Sequence, residues 1–348
     1  MKRLLSIFFC LVFLGVAGGC SRPPAPSPSA PPPVKVGMVV DTGGLNDYSF
    51  NQSAHQGLVR AMESLGCEIK AIESRTDADY GKNLHLLAAS GYDPVIAVGV
   101  LLSQPLASTA RAFPNVRFVS IDGEDPALPN VSVYRFREEE GSFLAGALAA
   151  MVTHRKKVGF VGGLKIPLIE KFEAGFRAGV RTINPSIQVK TAYSHSFSDS
   201  EKGKEAALKL FKGGVDIVFH AAGGSGSGVI DAAHDMGPGF YAIGVDSDQD
   251  SMAPGRVLTS MIKRVDQAVF DAAKRAKDAT LTPGVVTLGL AEEAVALSPM
   301  RYTKDIINTL NSTILPRISR LSSMIRAKKL MVPDSLLKLK NYKAPKKF

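Results

Sequence analysis

The sequence predicts an α/β protein of two doubly wound parallel-sheet lobes. Three observations lead there. Short β-rich runs alternate with amphipathic helical runs through most of the chain, the pattern of parallel sheets flanked by helices. Setting aside an N-terminal leader and a Pro/Ser-rich stretch leaves about 310 residues, enough for two domains. The plan of the first half then recurs in the second, as a repeated pattern without a repeated sequence.

Residues 1–19 read as a targeting segment. Lys2 and Arg3 give a positive start, and Leu4 to Val16 is an apolar run short for a transmembrane helix. Ala17-Gly-Gly19 then precedes Cys20. This resembles a lipobox, in which the cysteine is acylated and becomes the first mature residue, although Ala17 stands where leucine is usual. An ordinary secretory signal or a single anchor helix fits the same run. Residues 20–33 are too rich in proline for helix or sheet and read as a semi-extended tether. With the leader removed, Cys67 has no partner if Cys20 carries lipid, so no disulfide is expected and Cys67 reads as a buried thiol.

In the first lobe the expected strands are 34–40, 68–72, 94–98, 116–121 and 131–136. Helices 52–65, 80–89 and 105–113 lie between them. A small-residue helix follows over 142–153. The second lobe has expected strands 157–161, 188–194, 216–221 and 241–245, with helices 167–184, 200–212 and 227–236. Residues 259–264 read as a return between lobes, followed by a helix over 265–277. Residues 326–348 carry eight Lys/Arg against one Asp. A solvated, disordered tail is the simplest reading of this end; contact with anionic lipid or with nucleic acid is the alternative.

The stretch Asp41-Thr-Gly-Gly-Leu-Asn-Asp-Tyr-Ser-Phe-Asn51 joins the first strand to the first helix, where open α/β sheets bind ligands. Its glycines allow a sharp turn, and its Asp, Asn and Ser can cap the helix or face the crevice. Phe50 offers a flat apolar face to a ligand or to the core. Asp122 ends another first-lobe strand, on the same rim as Asp41. Two carboxylates there suit an acid/base pair, acceptors for a neutral ligand, or loop caps. In the second lobe Phe197 follows a strand, Asp246 ends one, and Lys263 stands alone in an apolar run, where a lysine ordinarily snorkels to solvent.

Ala221-Ala-Gly-Gly-Ser-Gly-Ser-Gly228 occupies the place of a phosphate loop but fails the dinucleotide and P-loop spacings, and fails the nucleophile-elbow spacing around Ser225. Close approach of bare backbone at Gly223 or Gly224 is what remains. The histidines are scattered and no Cys/His spacing suggests a metal; no cofactor is called for.

The string D-x-G-G-x-x-D-x-S-F-N-Q resembles the basic membrane protein family, the PnrA-like nucleoside-binding lipoproteins of bacterial ABC transporters. Further landmarks recur in order: Glu139-Glu-Gly-Ser-Phe-Leu-Ala-Gly146, Val158-Gly-Phe-Val-Gly-Gly163, Gly244-Val-Asp-Ser-Asp-Gln249 and Leu258-Thr-Ser-Met-Ile-Lys263. The resemblance covers roughly residues 34–333.

It implies two lobes joined by a hinge with three crossings, as in periplasmic binding proteins of the first class. The hinge is expected near 136–140, near 245–249 and near Lys263. Lobe I would be 34–139 plus 264–282, lobe II 140–263 plus 283–333, and 334–348 a basic tail. It also implies a purine nucleoside between the lobes, stacked by Phe50 and Phe197. Asp41 and Asp122 would read the base edge, Gly223 or Gly224 would contact the ribose, and Asp246 with Lys263 would hold it. The implied setting is an extracytoplasmic face, with a bilayer holding acylated Cys20 and an ABC permease as partner; nucleic acid is not implied. The implied role is capture rather than chemistry. A nucleoside hydrolase or phosphorylase, or a sensor lipoprotein of the same fold, is the competing reading.

Overall fold

The computed structural model describes residues 32–345. The leader, Cys20 and nearly all of the tether lie outside the described residues. The chain from Pro33 onward is one compact unit.

Two six-stranded sheets organise it. The first lobe runs β1 (Lys35–Val40), α1 (Phe50–Leu65), β2 (Glu68–Glu73), α2 (Asp79–Ala89), β3 (Val95–Val98), α3 (Ser103–Ala112), β4 (Phe118–Ile121) and β5 (Val131–Phe136). The chain then crosses to α4 (Glu138–Val152), β6 (Lys157–Gly162), α5 (Pro167–Ile183), β7 (Gln188–Tyr193), α6 (Ser200–Lys212), β8 (Ile217–Ala221), α7 (Gly226–Asp235), β9 (Tyr241–Asp246) and β10 (Val257–Lys263). After it come α8 (Val265–Lys277), β11 (Gly284–Leu288), β12 (Val295–Leu297), α9 (Lys304–Leu310), α10 (Ile314–Arg326) and α11 (Leu336–Lys340).

The strand orders are β2-β1-β3-β4-β5-β11 and β7-β6-β8-β9-β10-β12. The first sheet is wholly parallel, and the second has one antiparallel edge, β12 on β10. Central strands are apolar on both faces, as helices on both sides require: Val36, Met38, Val39 and Val40 of β1 are all buried. Helix α1 ends where Gly66 takes a left-handed backbone (φ 68°) and its N–H returns to Met62 O. Helices α4 and α5 meet at Gly146, Gly175 and Gly179, where an added Cβ would strike the opposing backbone. That close packing explains the small-residue composition of α4.

In each sheet the order of strand addition reverses beside its first strand, between β1 and β3 and between β6 and β8. The carboxyl ends of these strands form the crevice of each lobe.

Several sequence expectations need correction. Residues 257–263 form β10, a strand inside the second sheet, and the crossing follows it at Arg264. Residues 284–288 pair with β5, so the first lobe extends to Leu288, not to 282. The third crossing is therefore 289–294; residues 245–249 belong wholly to the second lobe, because β9 lies between β8 and β10. The crossings are zipped together, with Arg137 N donating to Leu288 O and Arg264 N to Ala294 O, both at 2.8 Å. Residues 334–345 are docked on the second lobe rather than disordered, although their lysines stay exposed. α11 buries Leu339 against the second lobe, Arg181 Nη1 donates to Leu339 O at 3.0 Å, and Tyr342 shares a 2.8 Å hydrogen bond with Thr182.

Candidate functional site

The carboxyl ends of β1, β3 and β4 face those of β8, β9 and β10 and the start of α5 across one cleft of about 570 Å³, its open mouth included. Seven of the eight ligand-binding candidates line it: Asp41, Phe50, Asp122, Phe197, Gly223, Asp246 and Lys263. Gly224 lies behind Gly223, where an added Cβ would sit 3.4 Å from Asp47 Cβ of the other lobe. It is a lobe–lobe contact rather than a lining residue.

On the first-lobe side, Asp41 Oδ1 accepts from Gly43 N at 2.9 Å and from Asn51 Nδ2 at 2.7 Å. Its second oxygen lies beside Gly99. Asp47 accepts from the backbone N–H groups of Ser49, Asn51 and Gln52, at 2.9–3.0 Å. It thus satisfies the free donors at the start of α1, a structural role. This fixes Phe50, the first residue of α1, at the cleft. On the second-lobe side Phe197 packs against Gly163, where a Cβ would collide with its ring.

Asp122 and Asp246 both adopt left-handed backbone, at φ 63° and 65°. A non-glycine residue there carries a steric cost, and such outliers gather at functional sites. Each turns at a strand end into the cleft, Asp122 onto the Lys263 ammonium and Asp246 onto the Ser49 hydroxyl. Lys263 is 1% exposed; it does not snorkel. Its Nζ donates to Asp122 Oδ2 and, at 3.0 Å, to Glu138 Oε1. The same Nζ lies 5.2 Å from the Phe50 ring centre and 5.5 Å from that of Phe172.

Glu138 is the member that sequence reasoning missed. It is completely buried and also accepts from Lys171 Nζ at 2.5 Å, while Lys171 donates to Phe136 O at 2.7 Å. The available signal was three consecutive acids opening an otherwise apolar helix, α4. Two of them, Glu138 and Glu139, are buried.

Burial sets the electrostatics. It pushes the Asp246 carboxyl up to about 7 and Asp122 up to about 6, against the pull of Lys263. Burial also raises Asp41 and Asp47. It raises Glu139 to about 7. For Lys263, burial alone would lower the pKa; the carboxylates of Asp122, Glu138 and Asp246 overcome that and raise it. Glu138 is held below its usual range, because Lys263 and Lys171 outweigh the burial that would raise it.

The lobes touch directly. Ser49 Oγ donates to Asp246 Oδ2 at 2.5 Å, and Gln249 Nε2 to Tyr48 O at 3.0 Å. The serine-rich loop after β8 is occupied with its own folding: Ser225 Oγ donates to Ser196 O at 3.0 Å and Ser227 Oγ to Gly224 O at 2.8 Å. His220 is fully buried, bonded to Gln249 at 3.0 Å, and burial lowers its pKa to about 4. No group of three or more His, Cys, Asp or Glu side chains able to hold a metal occurs among the described residues.

Two doubly wound lobes facing one buried cleft are the architecture of solute-binding proteins. An ABC transporter solute-binding protein from Aeropyrum pernix K1 superposes with a TM-score of 0.78 at 27% identity, covering 89% of this chain and 96% of that one. The family model for ABC transporter substrate-binding proteins, PnrA-like, matches residues 34–335, and the chain belongs to that family. Among its relatives are the CD4+ T-cell-stimulating antigen of Listeria monocytogenes serovar 1/2a and Basic membrane protein A1 of Borrelia garinii subsp. bavariensis. The first is 37% identical over 294 residues, covering 78% of this chain and 82% of that one. The second is 33% identical over 324 residues, covering 90% and 93%.

Proposed function

We propose that this chain captures a purine nucleoside between its lobes and presents it to an ABC permease. The observation that carries this reading is the make-up of the cleft: three phenylalanines, Phe50 from the first lobe and Phe172 and Phe197 from the second, beside a buried carboxylate–ammonium pair. Aromatic faces suit a base, which stacks on them whatever its edge. Asp246 suits a pair of sugar hydroxyls as acceptor. Lys263 has three N–H bonds, two of them taken by Asp122 and Glu138, which leaves one for a sugar oxygen. Asp41, with one oxygen unbonded, suits a ring N–H or an amino group.

The charge balance supports a neutral ligand. Four aspartates and one lysine line the cleft, and that lysine is already paired. A phosphate would meet repulsion there, so a nucleoside fits better than a nucleotide.

The mechanism is closure. A ligand that touches both lobes favours the closed form by the difference in its affinity for the two forms. We further propose that acylated Cys20 holds the protein on the outer face of a membrane. No helix among the described residues is long and apolar enough to cross one. Mass spectrometry of ligand released from the purified protein tests the reading. A co-purified purine nucleoside is expected; a hexose or amino acid in its place would overturn it. Turnover of excess inosine to free base would move the protein to the hydrolases.

A further inference from the structure

The C-terminal segment Arg326–Lys343 stands apart from the rest of the surface. Among the described residues, the two most exposed large apolar side chains are Met331 and Leu337, each 71% exposed. Every other exposed large apolar residue is at or below 56%. Both stand among cations. Lys328 and Lys329 precede Met331, Lys338 and Lys340 follow Leu337, and Lys343 comes after them; all five are exposed. The one acid in the segment, Asp334, is paired with Lys338 at 2.7 Å.

This exposure is not fraying, because the segment is fastened at several points. Leu330, Pro333 and Leu339 are buried, and Leu339 O and the Tyr342 hydroxyl are hydrogen-bonded to α5. Helical geometry then sets the outward face. With Leu339 pointing into the second lobe, a residue two positions earlier lies on the opposite side, and Lys338 and Lys340 fall to either side of it. Leu337 is thus presented outward between two ammonium groups by a fixed scaffold.

We propose that this face of the second lobe docks on an anionic lipid bilayer, with Met331 and Leu337 entering the interface and the lysines meeting lipid headgroups. Apolar side chains ringed by Lys/Arg are the chemistry of interfacial binding, in which buried apolar area and attraction to anionic lipid act together. Nucleic acid is the other polyanion a basic segment can meet. It is disfavoured here, because the segment's one aromatic, Tyr342, is half-buried and bonded to Thr182, so no ring is free to stack on a base. The proposal is independent of which solute the cleft holds.

The test uses the compact unit beginning at Pro33, so that the leader contributes nothing. It is sedimented with vesicles of phosphatidylcholine alone and of phosphatidylcholine mixed equally with phosphatidylglycerol. Binding to the mixed vesicles alone, weakened by added salt, is expected. A Met331→Ser/Leu337→Ser chain and a Lys338→Glu/Lys340→Glu chain should each lose binding severalfold while melting at the parent temperature. The protein contains no tryptophan, so Leu337→Trp supplies a single reporter whose emission should shift to the blue on the mixed vesicles. Equal binding to both vesicle types, an unshifted emission, variants that bind like the parent, or displacement of the vesicles by an oligonucleotide would each overturn the proposal.

Discussion

Ser49 and Asp246 lie 197 positions apart in sequence, yet Ser49 Oγ donates to Asp246 Oδ2 at 2.5 Å. Ser49 stands before α1 in the first lobe, and Asp246 ends β9 in the second. The bond therefore spans the cleft and marks the closed arrangement. It also occupies one oxygen of the carboxylate proposed to hold the ribose, so closure and sugar recognition meet on a single side chain. Ser49→Ala should free that oxygen, remove a cross-lobe bond and speed ligand release. Stopped-flow displacement of a bound nucleoside would show a faster off-rate, and an unchanged one would separate closure from this contact.

Glu138 should matter for stability more than its absence from any motif suggests. It is the shared partner of two buried or half-buried ammonium groups, Lys263 and Lys171. Removing one partner of a buried ion pair typically costs about 3–5 kcal/mol, because the other charge is stranded. Glu138→Ala is therefore expected to lower unfolding free energy in a urea titration by about that amount, and Glu138→Gln by less. A loss below about 1 kcal/mol for Glu138→Ala would mean that the network relaxes or takes up water.

The pH dependence of binding follows from Asp246, whose carboxyl lies near 7 when buried and unliganded. Accepting from sugar hydroxyls requires the ionised form, so affinity should fall as pH drops below about 7, by up to about tenfold per unit. Stability of the unliganded protein has the opposite sign for this group. Its folded pKa is above the ordinary 3.8, so stability falls as pH rises from about 4 to about 7, where the unfolded carboxyl has ionised and the folded one still holds its proton. Asp246→Asn should flatten the affinity profile across that window. Glu139 also lies near 7 but faces Lys171 outside the cleft lining, so its titration should remain in the variant.

Much of the fold was legible because the signals were local. The apolar β1 run, the glycine ending α1 and the amphipathic spacing of the helices each act within a few residues. The placement of Asp41, Asp122 and Asp246 at strand ends was legible too, and parallel-sheet topology brings those ends to one crevice. What escaped depended on distant partners. β11 has no buried residue and is a strand only because it pairs with β5, far back in the sequence. Glu138 and Lys263 are 125 positions apart, and neither reads as part of an ion network alone. The basic tail read as solvated, and Leu339 and Tyr342 dock it onto α5 instead.

Anchoring is a separate prediction, since Cys20 precedes the compact unit. Cys20→Ala should leave melting and ligand binding unchanged and abolish incorporation of labelled palmitate. Labelling that persists in the variant would remove the lipobox reading.

The central claim is that Phe50 carries the base and Asp246 the ribose. Phe50→Ala should weaken every purine nucleoside alike, by about 1–3 kcal/mol. Asp246→Ala removes a charge-assisted acceptor worth about 1.5–3 kcal/mol, and its penalty should shrink for a ligand that already lacks the hydroxyl. Calorimetric titration of inosine and its 2′- and 3′-deoxy forms into the parent chain and both variants measures this directly. The account predicts a uniform loss for Phe50→Ala and a loss for Asp246→Ala that diminishes with at least one deoxynucleoside. An equal Asp246→Ala penalty for all three ligands, or no heat from any of them with the parent chain, would contradict it.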